Sequence, residues 1–169
     1  MKHAVIPSGA SLPELYRSLA GDYPKFFKMD TLSKLGFLLA ETLCKDEPGR
    51  FTPREDRAII VCSREGCLAN DLHYAASMED FPSPAFFVYT LPNIVTGEIA
   101  IRNKWGGETS AFVMEEFDRE RLSELAREAF QDKCTRSLFL AWIDCPSDTE
   151  WVAKAWLIDK EEIENQILD

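Results

Sequence analysis

The sequence predicts an α/β domain in which helices cover a mixed sheet. Three observations carry that expectation. Short apolar runs rich in β-branched residues, such as Ala58-Ile-Ile-Val-Cys62, are interleaved with amphipathic stretches of helical period. Capping residues stand where such stretches begin, Asp30 ahead of Leu32, Leu35, Leu39 and Leu43, and Asp118 ahead of Leu122, Leu125 and Ala126. The last third reads as two strands joined by a Pro146-Ser147-Asp148 turn, an antiparallel pair beside strands separated by helices.

Taken in order, residues 12–20 form a short helix ended by Gly21. Residues 29–44 form a longer one, with Gly36 on its apolar face where a missing side chain lets another element approach. Residues 46–54, rich in Pro, Gly and charge, are a loop. Arg57–Ser63 is a buried strand, continuously apolar and short. Gly66 and Asn70 mark a turn into a helix over 68–79, with Leu68, Leu72, Ala75 and Ala76 on one face. Residues 81–84 are extended or turned, and 84–90 make a short aromatic extension. Pro92 suits the first turn of a helix over 93–104, whose broad apolar face holds Ile94, Val95, Glu98, Ile99 and Ile101, with Gly97 at a tight crossing. Residues 109–114 form a strand, and Asp118 opens a helix that runs to Gln131. Strands follow over 137–143 and 150–158, the second sending Trp151, Ala153, Ala155 and Leu157 to the face opposite Val152, Lys154, Trp156 and Ile158. A short acidic helix over 160–168 closes the chain.

At 169 residues, this is the size of one domain spanning 1–169, and 46% apolar with 28% charged residues excludes a disordered or fibrous chain. A net charge of -10 argues against nucleic acid and anionic membrane surfaces as partners. No apolar run approaches the roughly 20 residues that span a bilayer, and His3, Pro7 and Ser8 replace the pattern of a secretion signal, so a cytoplasmic location is expected. Five cysteines at irregular spacing with only two histidines give neither a disulfide framework nor a zinc site, and no metal or cofactor is expected. Most of the cysteines read as small core residues. Cys67, in a loop after Arg64-Glu65-Gly66, is a weak nucleophile candidate without a paired base. No G-x-S-x-G elbow, P-loop, G-x-G-x-x-G or H-E-x-x-H occurs.

Two stretches carry a resemblance. Phe26-Phe-Lys-Met-Asp30 followed by Leu32-Ser-Lys-Leu35, and Leu91-Pro-Asn93 with Gly97-Glu-Ile-Ala-Ile101 and Gly107, resemble the N-terminal domain of β-ketoacyl synthases, in the thiolase-like superfamily. The resemblance covers roughly residues 23 to 158, one half of such an enzyme. It implies a thiolase-like single half, a mixed five-stranded sheet covered by helices. The family's nucleophilic cysteine is missing: Val113-Met-Glu-Glu-Phe117 stands there, so Glu115 and Glu116 hold the nucleophile-equivalent position. An acyl-accepting nucleophile must be a thiolate or similar; a carboxylate accepts acyl groups poorly. The family's two catalytic histidines lie in the half this chain lacks, and His3 and His73 read as surface or capping residues. Pro92, Asn93, Gly97 and Gly107 belong to the family motif and read as helix start, capping and close packing rather than ligand contacts.

The resemblance implies dimerisation through Thr109, Ser110, Ala111, Phe112 and Val113, either as a homodimer or with a full-length ketosynthase in the manner of a chain-length factor. The function implied is a non-catalytic role in fatty-acid or polyketide-type biosynthesis. One alternative is an active β-ketoacyl-acyl carrier protein synthase-type acyltransferase or malonyl decarboxylase, with Glu115 or Glu116 orienting the thioester. Another is an acyl-chain or small-molecule binding module lined by Phe86, Phe87, Trp105 and Phe112. Acyl carrier protein, the family's acidic partner, is disfavoured by charge, since Lys25, Lys28, Lys34, Arg102 and Lys104 make no dense patch.

Overall fold

The computed structural model describes residues 1–163. Its elements run β1 (Lys2–Ile6), α1 (Leu12–Leu19), α2 (Thr31–Cys44), β2 (Arg57–Ser63), α3 (Leu68–Ser77), α4 (Pro84–Val88), α5 (Ile94–Asn103), β3 (Thr109–Val113), α6 (Arg119–Ala129), β4 (Ser137–Asp144) and β5 (Val152–Asp159). A single five-stranded sheet takes the order β1-β5-β4-β2-β3. β2 is parallel to both β3 and β4, while β5 runs antiparallel to β4 and to β1, so the sheet is mixed. No helix among the described residues is long and apolar enough to cross a membrane.

Strand alternation divides the interior into two cores. Ile59 and Val61 of β2, Phe139, Ala141 and Ile143 of β4, and Ala153, Ala155 and Leu157 of β5 meet α1, α2 and α5 on one face. Ala58, Ile60 and Cys62, with Leu138, Leu140, Trp142, Trp156 and Ile158, meet Leu122, Leu125, Ala126 and Phe130 of the α6 segment on the other. α2 is the central helix of the first core, buried along nearly its whole length. Its N-terminus is fixed by Asp30, whose side chain accepts from the Ser33 amide at 3.0 Å. Gly36 is where α5 crosses it: a methyl there would stand 2.5 Å from Val95 Cγ2 and 3.2 Å from Ile99 Cδ1.

Several elements differ from the sequence expectation. β1 was not signalled, although Ala4 and Ile6 alternate inward and the strand pairs Lys2 with Leu157 through Ile6 with Ala153. Residues 84–88 are a helix, not an extension; Ser83 caps it by accepting from the Phe86 amide, and Pro84 occupies its first turn. Leu68 and Leu72 of α3 are exposed, and only Asn70 of that helix is buried. Ile101 faces solvent, and no atom lies within 4 Å of a methyl placed on Gly97, so that glycine makes no tight crossing. A 3-10 turn over Lys160–Glu162 follows β5. The rest of the acidic helix expected over 160–168 lies outside the described residues.

Candidate functional site

β3 lies at the border of the sheet, and its register with β2, Ile59 to Thr109 through Ser63 to Val113, uses one side of its backbone. Among the described residues nothing pairs with the other side. Phe112 and Val113 are exposed, the latter by 64%, while Ser110 and Ala111 are half-buried. Beside the strand lies a groove of about 140 Å³, lined by Ser110 and Phe112 on one wall and Leu125 and Ala129 of α6 on the other. A short apolar edge of this kind is a template for pairing with another chain. Gly107 brings the strand into place, since a methyl there would stand 2.2 Å from the Arg57 carbonyl oxygen. Pro92 and Asn93 precede α5; Asn93 stands at its N-cap without a side-chain cap bond.

The turn from β3 into α6 spans residues 114–118. Glu115 and Glu116 are exposed there. Phe117 anchors the turn, its ring edge-on to Trp142 at 5.7 Å and beneath the Lys154 ammonium at 3.3 Å. Asp118 accepts from the amides of Glu120 and Arg121 at 2.8 and 3.1 Å, so the first-turn donors of α6 that would stabilise an anion are already engaged.

No cysteine sits at this turn. Cys44, Cys62, Cys67 and Cys145 are buried, and burial pushes each thiol up to about 12. Cys67 does lie in the turn that leads into α3, but it is buried, and its sulfur stands 3.4 Å from Asp71 Oδ2, a carboxylate that further disfavours the thiolate. Only Cys134 is exposed. We expect a thiol reagent at pH 8 to modify one cysteine per folded chain and all five after denaturation, and Cys134→Ser to abolish the native reaction; mass spectrometry of the labelled protein checks this.

The histidines lie elsewhere. His3 stacks on Trp156 at 5.2 Å. His73 Nε2 lies 2.7 Å from Asp148 Oδ2, and Asp148 Oδ1 also accepts from Thr31 Oγ1, joining α3, the β4–β5 turn and the start of α2. These residues border a cleft of about 540 Å³ that also holds Asp30, whose carboxyl is raised by burial. The cleft lies beyond the carboxyl ends of β2 and β4, the usual place for a ligand crevice in open α/β sheets. Asp148 was visible in the sequence only as a turn residue, because its partners come from segments more than seventy positions away. Among the described residues no group of three His, Cys, Asp or Glu is placed to hold a metal ion. The four aromatics of the proposed acyl cavity are separated. Trp105 is buried against the Arg57 guanidinium, Phe86 and Phe87 lie on α4, and Phe112 lies on β3.

No protein-family model and no curated protein matches the chain. Solved structures do. A chain in the complex of the ketosynthase ApeO with its chain length factor ApeC from Xenorhabdus doucetiae matches with a TM-score of 0.64 and 16% identity, over 94% of this chain and 77% of that one. The ishigamide ketosynthase/chain length factor matches with a TM-score of 0.71 and 16% identity, over 91% of this chain and 49% of that one. This chain has the fold of one thiolase-like half. It spans about half of the second neighbour and about three quarters of the first.

Proposed function

We propose that this protein is a non-catalytic ketosynthase-like subunit that pairs through β3 with a full-length ketosynthase, in the manner of a chain-length factor, in polyketide- or fatty-acid-type biosynthesis. The observation that carries this reading is the open apolar edge of β3 beside a turn with no thiol. Strand addition at that edge satisfies the free backbone groups, and Phe112 with the adjoining groove supplies side-chain contacts. The neighbours support it, since both come from ketosynthase and chain length factor systems, and one is a chain of comparable size.

The test is native mass spectrometry of the protein co-expressed with the full-length ketosynthase of the same genome. A one-to-one complex is expected. Thr109→Lys combined with Val113→Lys, both at exposed positions, should weaken it at least tenfold while leaving the melting temperature of the isolated chain unchanged. A wild-type chain that stays monomeric beside the ketosynthase, or a malonyl-thioester turnover by the chain alone that disappears in Glu116→Ala, would sink the proposal.

A further inference from the structure

Most of the exposed large apolar side chains lie between residues 68 and 113. Eight of them expose more than half of their surface. Ile101 and Val113 lie on α5 and β3; the other six, Leu72, Met78, Phe81, Phe87, Val88 and Leu91, belong to α3, α4 and the segments that join and follow them, and Phe81 exposes 88%. α4 is the extreme case: a five-residue helix with two phenylalanines and a valine, and no buried residue. Among the described residues α3 supports it: Asn70 donates to the Phe86 carbonyl at 2.9 Å, and the His73–Phe86 and Tyr74–Phe87 ring pairs lie at 5.8 and 5.5 Å. Such a helix does not hold itself in water without an apolar surface to rest on.

The size of this surface matters. At on the order of 100 Å² exposed per side chain, the six residues present roughly 600 Å² of apolar area, the upper end of what a solitary protein shows. β3 alone, with five residues, is too short to provide the roughly 800 Å² that each partner contributes to a stable interface. Together the two reach it. They are also continuous, because Gly66 at the entry to α3 packs between Pro92 and Val113, placing the end of the α3–α4 excursion against the end of β3.

The rim of the patch selects the occupant. Glu79 and Asp80 are exposed beside it, and no Lys or Arg occurs between Arg64 and Arg102. Two copies related by a two-fold axis would bring like charge to like charge around this face. We infer that the α3–α4 excursion is a second docking surface, continuous with the β3 edge, for a different thiolase-fold chain whose matching apolar face is rimmed by Lys and Arg. This inference rests on the pairing proposed above and extends it to a new element.

The experiment measures affinity for the full-length ketosynthase of the same genome. Phe81→Ser combined with Phe87→Ser should raise Kd at least tenfold with an unchanged melting temperature. Phe81→Ser alone, at a position with almost no internal contact, should give a smaller loss in the same direction. Wild-type affinity in the double variant, with loss in Thr109→Lys/Val113→Lys, would refute the second surface and leave the strand pairing standing. No binding by the wild-type chain would bring down both. A chain that dimerises with itself, and becomes monomeric on Phe81→Ser/Phe87→Ser, would show that a second copy covers the patch and overturn the choice of partner.

Discussion

Replacing Glu47 with alanine is expected to destabilise the protein by about 3–5 kcal/mol, the cost of leaving a buried guanidinium without its counter-charge. Arg57, 2% exposed at the start of β2, donates from Nη1 to Glu47 Oε2 at 2.7 Å and from Nη2 to Glu47 Oε1 at 2.6 Å. Its Nε donates to Ser137 Oγ at 2.9 Å, and its plane lies over Trp105. Ser137→Ala removes one neutral acceptor and should cost only about 1 kcal/mol. The pH dependence follows from the same geometry. Hydrogen bonds from Arg57 hold the Glu47 carboxyl below its ordinary 4.5, against the opposing effect of burial. A carboxylate whose pKa is lowered by folding stabilises the native state above its unfolded value and loses that contribution as pH falls through its folded one. Denaturant midpoints of the wild type should therefore fall below about pH 4.5, and those of Glu47→Ala should fall less steeply.

Gly107→Ala is expected to cost about 3 kcal/mol, the upper end for overpacking. The added methyl would lie 2.2 Å from the Arg57 carbonyl oxygen and 2.6 Å from its carbon, both backbone atoms. β2 cannot yield, because it is held by β3 on one side and β4 on the other. Gly97→Ala tests the opposite sign: the position is inside α5 with nothing within 4 Å, so alanine should stabilise by about 0.5–1 kcal/mol. Thermal melts of the two variants decide it. The two glycines look alike in the sequence and differ completely in what surrounds them.

That pair shows where sequence reasoning works and where it stops. Periodicity placed α2, β2, α6, β4 and β5, because each buries a face whose pattern is local. Asp30 and Asp118 were legible as caps, since a cap acts within three residues. Gly36 was read as a close-approach residue and is one. The segment around α4 misled, because Phe86, Phe87 and Val88 favour a strand by type, while Ser83 and Pro84 carried the weaker helix-start signal. The sequence puts Leu68, Leu72, Ala75 and Ala76 on one face of α3, and that face is exposed, on a helix of which only Asn70 is buried. The polar groupings were illegible for another reason. Glu47 with Arg57 and Ser137, or His73 with Asp148 and Thr31, joins segments that only the folded topology brings together. The β3 strand could be read, but its position at the sheet border depends on which strands follow it, and the pattern of one strand does not encode that.

The order β1-β5-β4-β2-β3 also sets a timetable. β2 and β3 leave the ribosome before β4 exists, so at first both flanks of that parallel pair are bare. One flank is covered once residues 137–144 have been made, and β1, the earliest strand, must wait for residues 152–159 to receive it. The other flank, along β3, is paired by none of the described residues at any stage. A partner made at the same time and place can reach that flank while the rest of the sheet is still being assembled, whereas a chain expressed alone meets mainly other nascent copies of itself.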